Sequence, residues 1–116
     1  MVSDDDIRVI ALSLPDSYED THRRAAAFRI QAKIFAMLSN DAPRLVIKLD
    51  REDQLNMMEG YPGVVMPGRH YSHHGWTRVD CVAAERNLVE TLLKLAWTHV
   101  APKRLVRSYW ASGQTR

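Results

Sequence analysis

Residues 69–78 read Arg69-His70-Tyr71-Ser72-His73-His74-Gly75-Trp76-Thr77-Arg78 and hold three of the chain's five histidines. Three imidazoles in one stretch raise metal ligation first, since neutral imidazole is a common metal ligand. Metal sites, however, need directed geometry, usually from a framework such as His-x-x-x-His on a helix. Here the spacing is three and then one, in a glycine-containing loop with no acid between. We expect no metal site and no resident cofactor. His70 or His74 has the chemistry for proton transfer, but neither has a nucleophile or an acid partner close in sequence, and we expect no catalytic residue here. Trp76 has two readings: an aromatic at the lip of the core, or a stacking platform flanked by the basic Arg69 and Arg78.

The other chemistry-bearing residues are dispersed. Lys48 interrupts the apolar run Leu45-Val46-Ile47-Lys48-Leu49. By strand alternation it faces solvent; pointed into a pocket it becomes an anion contact. Cys81, the single cysteine, is either a reactive thiol at a helix start or a half-buried spectator, and the second reading is favoured. Arg29 and Lys33 flank a candidate hairpin turn. Lys103 and Arg104 follow the last long helix. Basic side chains in such places meet phosphates when a hairpin tip enters a nucleic-acid groove. The phosphate-loop patterns GxGxxG and GxxxxGKS/T are absent, as is the nucleophile elbow GxSxG.

A chain of 116 residues has the length of one domain. With 46% apolar residues it can build one core. No stretch reaches the ~20 apolar residues of a membrane span. The acidic start Met1-Val2-Ser3-Asp4-Asp5-Asp6 resembles neither a secretory signal nor a transit peptide. A lone cysteine forbids an intramolecular disulfide and fits a reducing cytoplasm. The net charge is only +2, but its distribution is uneven. Residues 1–20 carry one arginine against six acids, a balance of −5, whereas residues 101–116 carry Lys103, Arg104, Arg107 and Arg116 with no acid, a balance of +4. That excludes a strongly basic, indiscriminate nucleic-acid binder and leaves room for a local patch.

The elements that must position these groups follow from periodicity. Ser3 caps a first helix. Asp4, Asp5 and Asp6 sit in its first turn, Ile7, Ile10, Ala11 and Leu14 form one apolar face, and Pro15 stops it. Residues 16–26 read as a polar connection. Phe28-Arg29-Ile30 and Lys33–Leu38 read as two strands joined at Gln31-Ala32, and residues 45–50 as a third after the turn Asp41-Ala42-Pro43. A short helix follows Asp50 and ends at Gly60, with Leu55 and Met58 facing inward. A loop with a short strand at Val64–Met66 leads to a strand at residues 76–80. Residues 82–100 read as a long helix with Leu88, Leu92, Leu95, Ala96 and Val100 on one stripe and a Glu90–Lys94 pair. Pro102 closes it, and residues 106–116 are expected to form a partly disordered tail. Strands bracketed by helices indicate an α+β domain: an antiparallel β-sheet with the N- and C-terminal helices packed on one face.

The order of the motifs resembles the MmcQ/YjbR family from about Ile7 to Leu105. The matching pieces are Leu14-Pro15, Phe28-Arg29-Ile30, Lys33-Ile34-Phe35-Ala36, Lys48-Leu49-Asp50, Tyr71, His74-Gly75-Trp76 and Ala101-Pro102-Lys103-Arg104-Leu105. The resemblance implies a frataxin-like (CyaY-like) α+β fold and a DNA-binding protein, on a double-wing-like arrangement of strands, with no assigned reaction. Two departures stand out. Arg23-Arg24-Ala25-Ala26-Ala27 replaces a segment that usually carries glycine and proline, and Gln31-Ala32 replaces a glycine-rich turn.

Three functional expectations follow. The first is a non-enzymatic protein that binds double-stranded DNA through Arg29, Lys33, Arg69, Arg78, Lys103 and Arg104. The second is a pocket for a small anionic ligand or a protein segment, lined by Lys48, His70, Tyr71, His74, Trp76 and Lys103. The third, implied by the frataxin-like fold, is metal binding on Asp4, Asp5, Asp6, Asp16, Glu19 and Asp20.

Overall fold

The computed structural model of the protein describes residues 1–112. In chain order it forms α1 (Asp4–Leu12), β1 (Tyr18–His22), β2 (Ala25–Ile30), β3 (Lys33–Leu38), β4 (Leu45–Lys48), α2 (Arg51–Gly60), β5 (Val65–Pro67), β6 (Trp76–Val79), α3 (Arg86–Val100) and α4 (Lys103–Ala111). A single turn of 3-10 helix at Ser72–His74 precedes β6. The six strands make one sheet in the order β1-β2-β3-β4-β6-β5, and every neighbouring pair is antiparallel. The α+β expectation holds.

Ser3 closes α1 with a capping box: its hydroxyl accepts from the Asp6 amide, and the Asp6 carboxylate accepts from the Ser3 amide. That backbone hydrogen bond, followed by the one to the Ser3 side chain, holds the Asp6 carboxyl below the usual carboxylate range. Ile7, Ile10, Ala11 and Leu14 are all buried, as the helical spacing requires. They meet one face of the sheet and α3. The core centres on Phe28, Phe35, Ile47, Leu92 and Trp97, all fully buried. The indole of Trp97 donates to the Pro15 carbonyl at 3.1 Å, tying α3 to the end of α1.

Several local expectations fail, each for a physical reason. The polar connection contains β1, paired along its whole length with β2. An edge strand with exposed Tyr18, Asp20 and Thr21 shows no apolar alternation, so the sequence disguises it. Arg23 and Arg24 both take positive φ (51° and 68°), as do Gln31 and Ala32 (48° and 67°). This is the pattern of the two-residue hairpin turn that glycine and asparagine usually supply. Both hairpins therefore keep the tight turn without glycine. In α2, Leu55 is 50% exposed, and Gln54 is the fully buried residue instead. On α3 the helix starts at Arg86, and its buried face is Val89, Leu92, Leu93, Ala96 and Trp97, while Leu88, Leu95 and Val100 lie half-buried beside it. Glu90 pairs with Arg86, four residues before it, at 3.2 Å. The expected tail is helical over residues 106–111, because Leu105, Val106 and Tyr109 form an apolar stripe against the core and Tyr109 stacks 5.2 Å from Trp97. Residues 113–116 of that expectation lie outside the described residues.

Candidate functional site

The two faces of the sheet differ. On β4, Leu45 and Ile47 point into the core, while Val46 and Lys48 point the other way and stay half-buried. Register carries the open side across the sheet: Met37 stands opposite Val46, Val46 opposite Arg78, and Lys48 opposite Trp76. Side chains that pair directly share a face, so these five residues form one continuous patch. The Lys48 ammonium lies 5.2 Å from the centroid of the Trp76 ring, a cation–π contact.

Among the described residues Trp76 borders two cavities, one reaching the end of α3 and one over the open face. The first is a cleft of about 490 Å³ lined by Arg29, Lys33, Ile34, Lys48, Trp76 and, from the last turn of α3, His99 and Val100. Among the described residues no carboxylate lines it. The second, about 340 Å³, has Met37 and Val46 as its apolar floor and Arg69, His70, Tyr71 and Arg78 around it, with Asp41 at its edge. Of the residues singled out from sequence, Lys48 and Trp76 come together, joined by Arg29 and Lys33 on one side and by Arg69, Arg78, His70 and Tyr71 on the other. His74 and Lys103 line neither cavity. The rings of His73 and His74 pack on each other at a tilt of 41°, with centroids 4.1 Å apart.

The basic groups are not equally available. Arg29 donates from Nε to both Asp20 oxygens at 2.9 and 3.0 Å and from a terminal nitrogen to the Ala32 carbonyl at 2.8 Å. It braces the β2–β3 turn against β1. Arg78 donates to the Pro67 carbonyl at 2.9 Å, and Arg69 to the Ala42 carbonyl at 2.9 Å. Among the described residues, Lys33, Lys48, Lys103 and Arg104 form no ion pair. Lys103 and Arg104 are exposed in the first turn of α4.

The loop that carries Trp76 is clamped from below. The buried Gln54 amide donates to the carbonyls of Ser72 and Trp76, both at 3.0 Å, and Arg51 donates to the Ser72 carbonyl at 3.2 Å. Gly75 takes φ +97°, and a Cβ there would lie 1.9 Å from the Leu49 carbonyl oxygen. Gly68 approaches from the other end: its amide donates to the Trp76 carbonyl at 2.8 Å, and a Cβ would lie 2.7 Å from that oxygen. Gly75-Trp76 is thus first a backbone device that seats the indole beside Lys48. Sequence reading missed Gln54 and His99. A glutamine and a histidine in helical runs carry no local signal, although Gln54 on the inward side of a short helix is a buried amide that must find partners.

The acidic N-terminal region is occupied by arginines. Asp5 and Glu19 bind Arg8, Asp20 binds Arg29, Asp4 binds Arg44 and Asp6 binds Arg86. Among the described residues no group of three or more histidine, cysteine or carboxylate side chains is placed to hold a metal ion. The frataxin-like metal reading gains no site, because these carboxylates face guanidiniums rather than one another. Cys81 is half-buried, and burial, followed by the charge of Asp80, pushes its thiol up to about 11.

Fold and site together define a small α+β domain with helices on one sheet face and an aromatic-basic patch on the other. The family model YjbR matches residues 12–99, and the chain belongs to that family. The crystal structure of Deinococcus radiodurans protein DR2400, which carries the family-model domain DUF419, superposes with a TM-score of 0.72 at 21% identity, covering 85% of this chain and 78% of that one. At that identity the likeness speaks for the fold. No curated protein matches the chain. Among the described residues no helix is long and apolar enough to cross a membrane.

Proposed function

We propose that the chain is a non-enzymatic DNA-binding protein that meets the nucleic acid with the open face of its sheet. One observation carries the reading: the cleft beside Trp76 gathers Lys33, Lys48, His99 and the Asp20-paired Arg29, and among the described residues no carboxylate lines it. Such a cleft attracts phosphate and offers an aromatic surface at the same place. The start of α4 adds to it. Lys103 and Arg104 sit at the positive end of the helix dipole, where cations are locally unfavourable, so their placement is better explained by an external anion. The raised pKa of Cys81 speaks against that thiol as a nucleophile, since a protonated thiol reacts poorly. The test is a fluorescence-anisotropy titration of labelled duplex DNA at two salt concentrations. With Lys33, Lys48, Lys103 and Arg104 on phosphates, the slope of log K against log salt should be about −3 to −4. Absent binding at low salt removes the reading.

A second reading, a site for a small anionic ligand, is favoured by the neighbouring cavity of about 340 Å³, a size that suits small molecules. It predicts binding with a salt slope shallower than that of the DNA complex, which Arg69→Ala and Arg78→Ala weaken and Lys103→Ala leaves unchanged.

A further inference from the structure

The two cavities that share Trp76 differ in chemistry, and the difference specifies a ligand. One is cationic, with Lys33 and Lys48 unpaired among the described residues. The other has an apolar floor of Met37 and Val46, and the charges at its rim are already engaged: Arg69 with Asp41 and the Ala42 carbonyl, and Arg78 with the Pro67 carbonyl. Register places them side by side around Trp76: Lys48 pairs with Trp76, and two residues along each strand Val46 pairs with Arg78. A ligand that fills both must carry an anionic group next to a flat, largely apolar ring with polar edges. A nucleotide unit of an unpaired strand has that composition. A base inside a duplex does not, because its faces are already stacked and unavailable.

We propose that the Trp76 patch is a single-strand subsite. The base stacks in the Met37–Val46 cavity against the indole, with Arg69 and Arg78 at its edge. The adjoining phosphate lies in the cleft at Lys48 and Lys33. Lys48 holds both roles together, since its ammonium reaches over the ring and into the cleft. The inference rests on the DNA-binding reading and adds which form of DNA is bound.

The experiment compares a labelled single-stranded oligothymidine with a duplex of equal length at low salt, by anisotropy and by tryptophan emission. A Trp110→Phe background leaves Trp76 and the fully buried Trp97 as emitters. One stacked base is expected to favour the single strand by about tenfold or more and to quench Trp76. Trp76→Leu should abolish the quenching, and Lys48→Met should weaken the single strand more than the duplex. Should Trp76→Leu fail to fold, Met37→Trp fills the cavity from its floor and should cancel the single-strand preference without touching the platform. Equal or tighter duplex binding with unchanged emission overturns the subsite and leaves DNA binding standing. Binding of neither form overturns both.

Discussion

Lys48 and Trp76 face each other across β4 and β6, and the ammonium of one rests 5.2 Å from the ring centre of the other. Neither residue is buried, so the pair contributes little to the core. Its consequence is placement: it fixes a cation and an aromatic ring side by side on the face that the helices leave open.

Replacing Lys48 should therefore separate binding from stability. Lys48→Met keeps the stem over the indole and removes the charge. We expect a stability change within about 0.5 kcal/mol, with a DNA affinity several-fold lower and a salt slope shallower by about 1. Thermal melts and anisotropy titrations on the same sample read the two effects.

Gly75→Ala should abolish the native loop. A methyl group would sit 1.9 Å from the Leu49 carbonyl oxygen, at a φ of +97°, and the clash is with backbone rather than with a side chain that could swing away. We expect a loss on the order of 3 kcal/mol or more, seen as a lowered midpoint in urea monitored by circular dichroism.

Gln54→Leu is nearly the same volume and more apolar, yet it should destabilise. It removes one of the hydrogen bonds that each of the carbonyls of Ser72 and Trp76 accepts, both at 3.0 Å, and leaves Arg51 without its glutamine acceptor. The expected cost is about 1–3 kcal/mol. Hydrogen exchange should quicken selectively at the amides of residues 68–76, whose loop this glutamine holds.

The β2–β3 turn offers the reverse experiment. Ala32 occupies φ +67°, a conformation unfavourable for any residue with a Cβ. Ala32→Gly should raise stability by about 0.5–1 kcal/mol, the relief of left-handed strain less the extra freedom of glycine in the unfolded chain. An unchanged or lowered melting temperature would show that the freedom glycine adds to the unfolded chain outweighs the strain it relieves.

Cys81 should resist alkylation. Its thiol is pushed from the usual 9.0 to about 11, and only the thiolate reacts. At pH 8 the thiolate population is then about 100-fold below that of an unperturbed cysteine. The sign follows from burial, which disfavours the charged form in the folded state. Iodoacetamide labelling of the native protein should be slow at pH 8, faster towards pH 11, and fast at pH 8 in urea.

What the sequence determines by itself is whatever depends on neighbours along the chain. The Ser3 cap with its acidic first turn, the Ile7-Ile10-Ala11-Leu14 face and the strand content of 28–38 and 45–48 all follow from spacing and local hydrogen bonding, and they are present as read. So is the family, because its motif order is a property of the chain. Where two distant segments decide the outcome, local reading fails. β1 exists because β2 offers it a partner, not because its own residues alternate. Helix α4 exists because Trp97 and the core give the stripe of Leu105, Val106 and Tyr109 somewhere to lie. Gln54 can be buried because two carbonyls eighteen and twenty-two residues away accept from its amide. The site follows the same rule. From sequence, Lys48 and Trp76 are expected in one pocket with His74 and Lys103, but only the register of β4 against β6 decides which of them are neighbours: it pairs Lys48 with Trp76, leaves His74 and Lys103 out of the cavities beside them, and the end of α3 brings in His99. Side-chain convergence across a sheet is a tertiary property, fixed by strand pairing that no single stretch encodes.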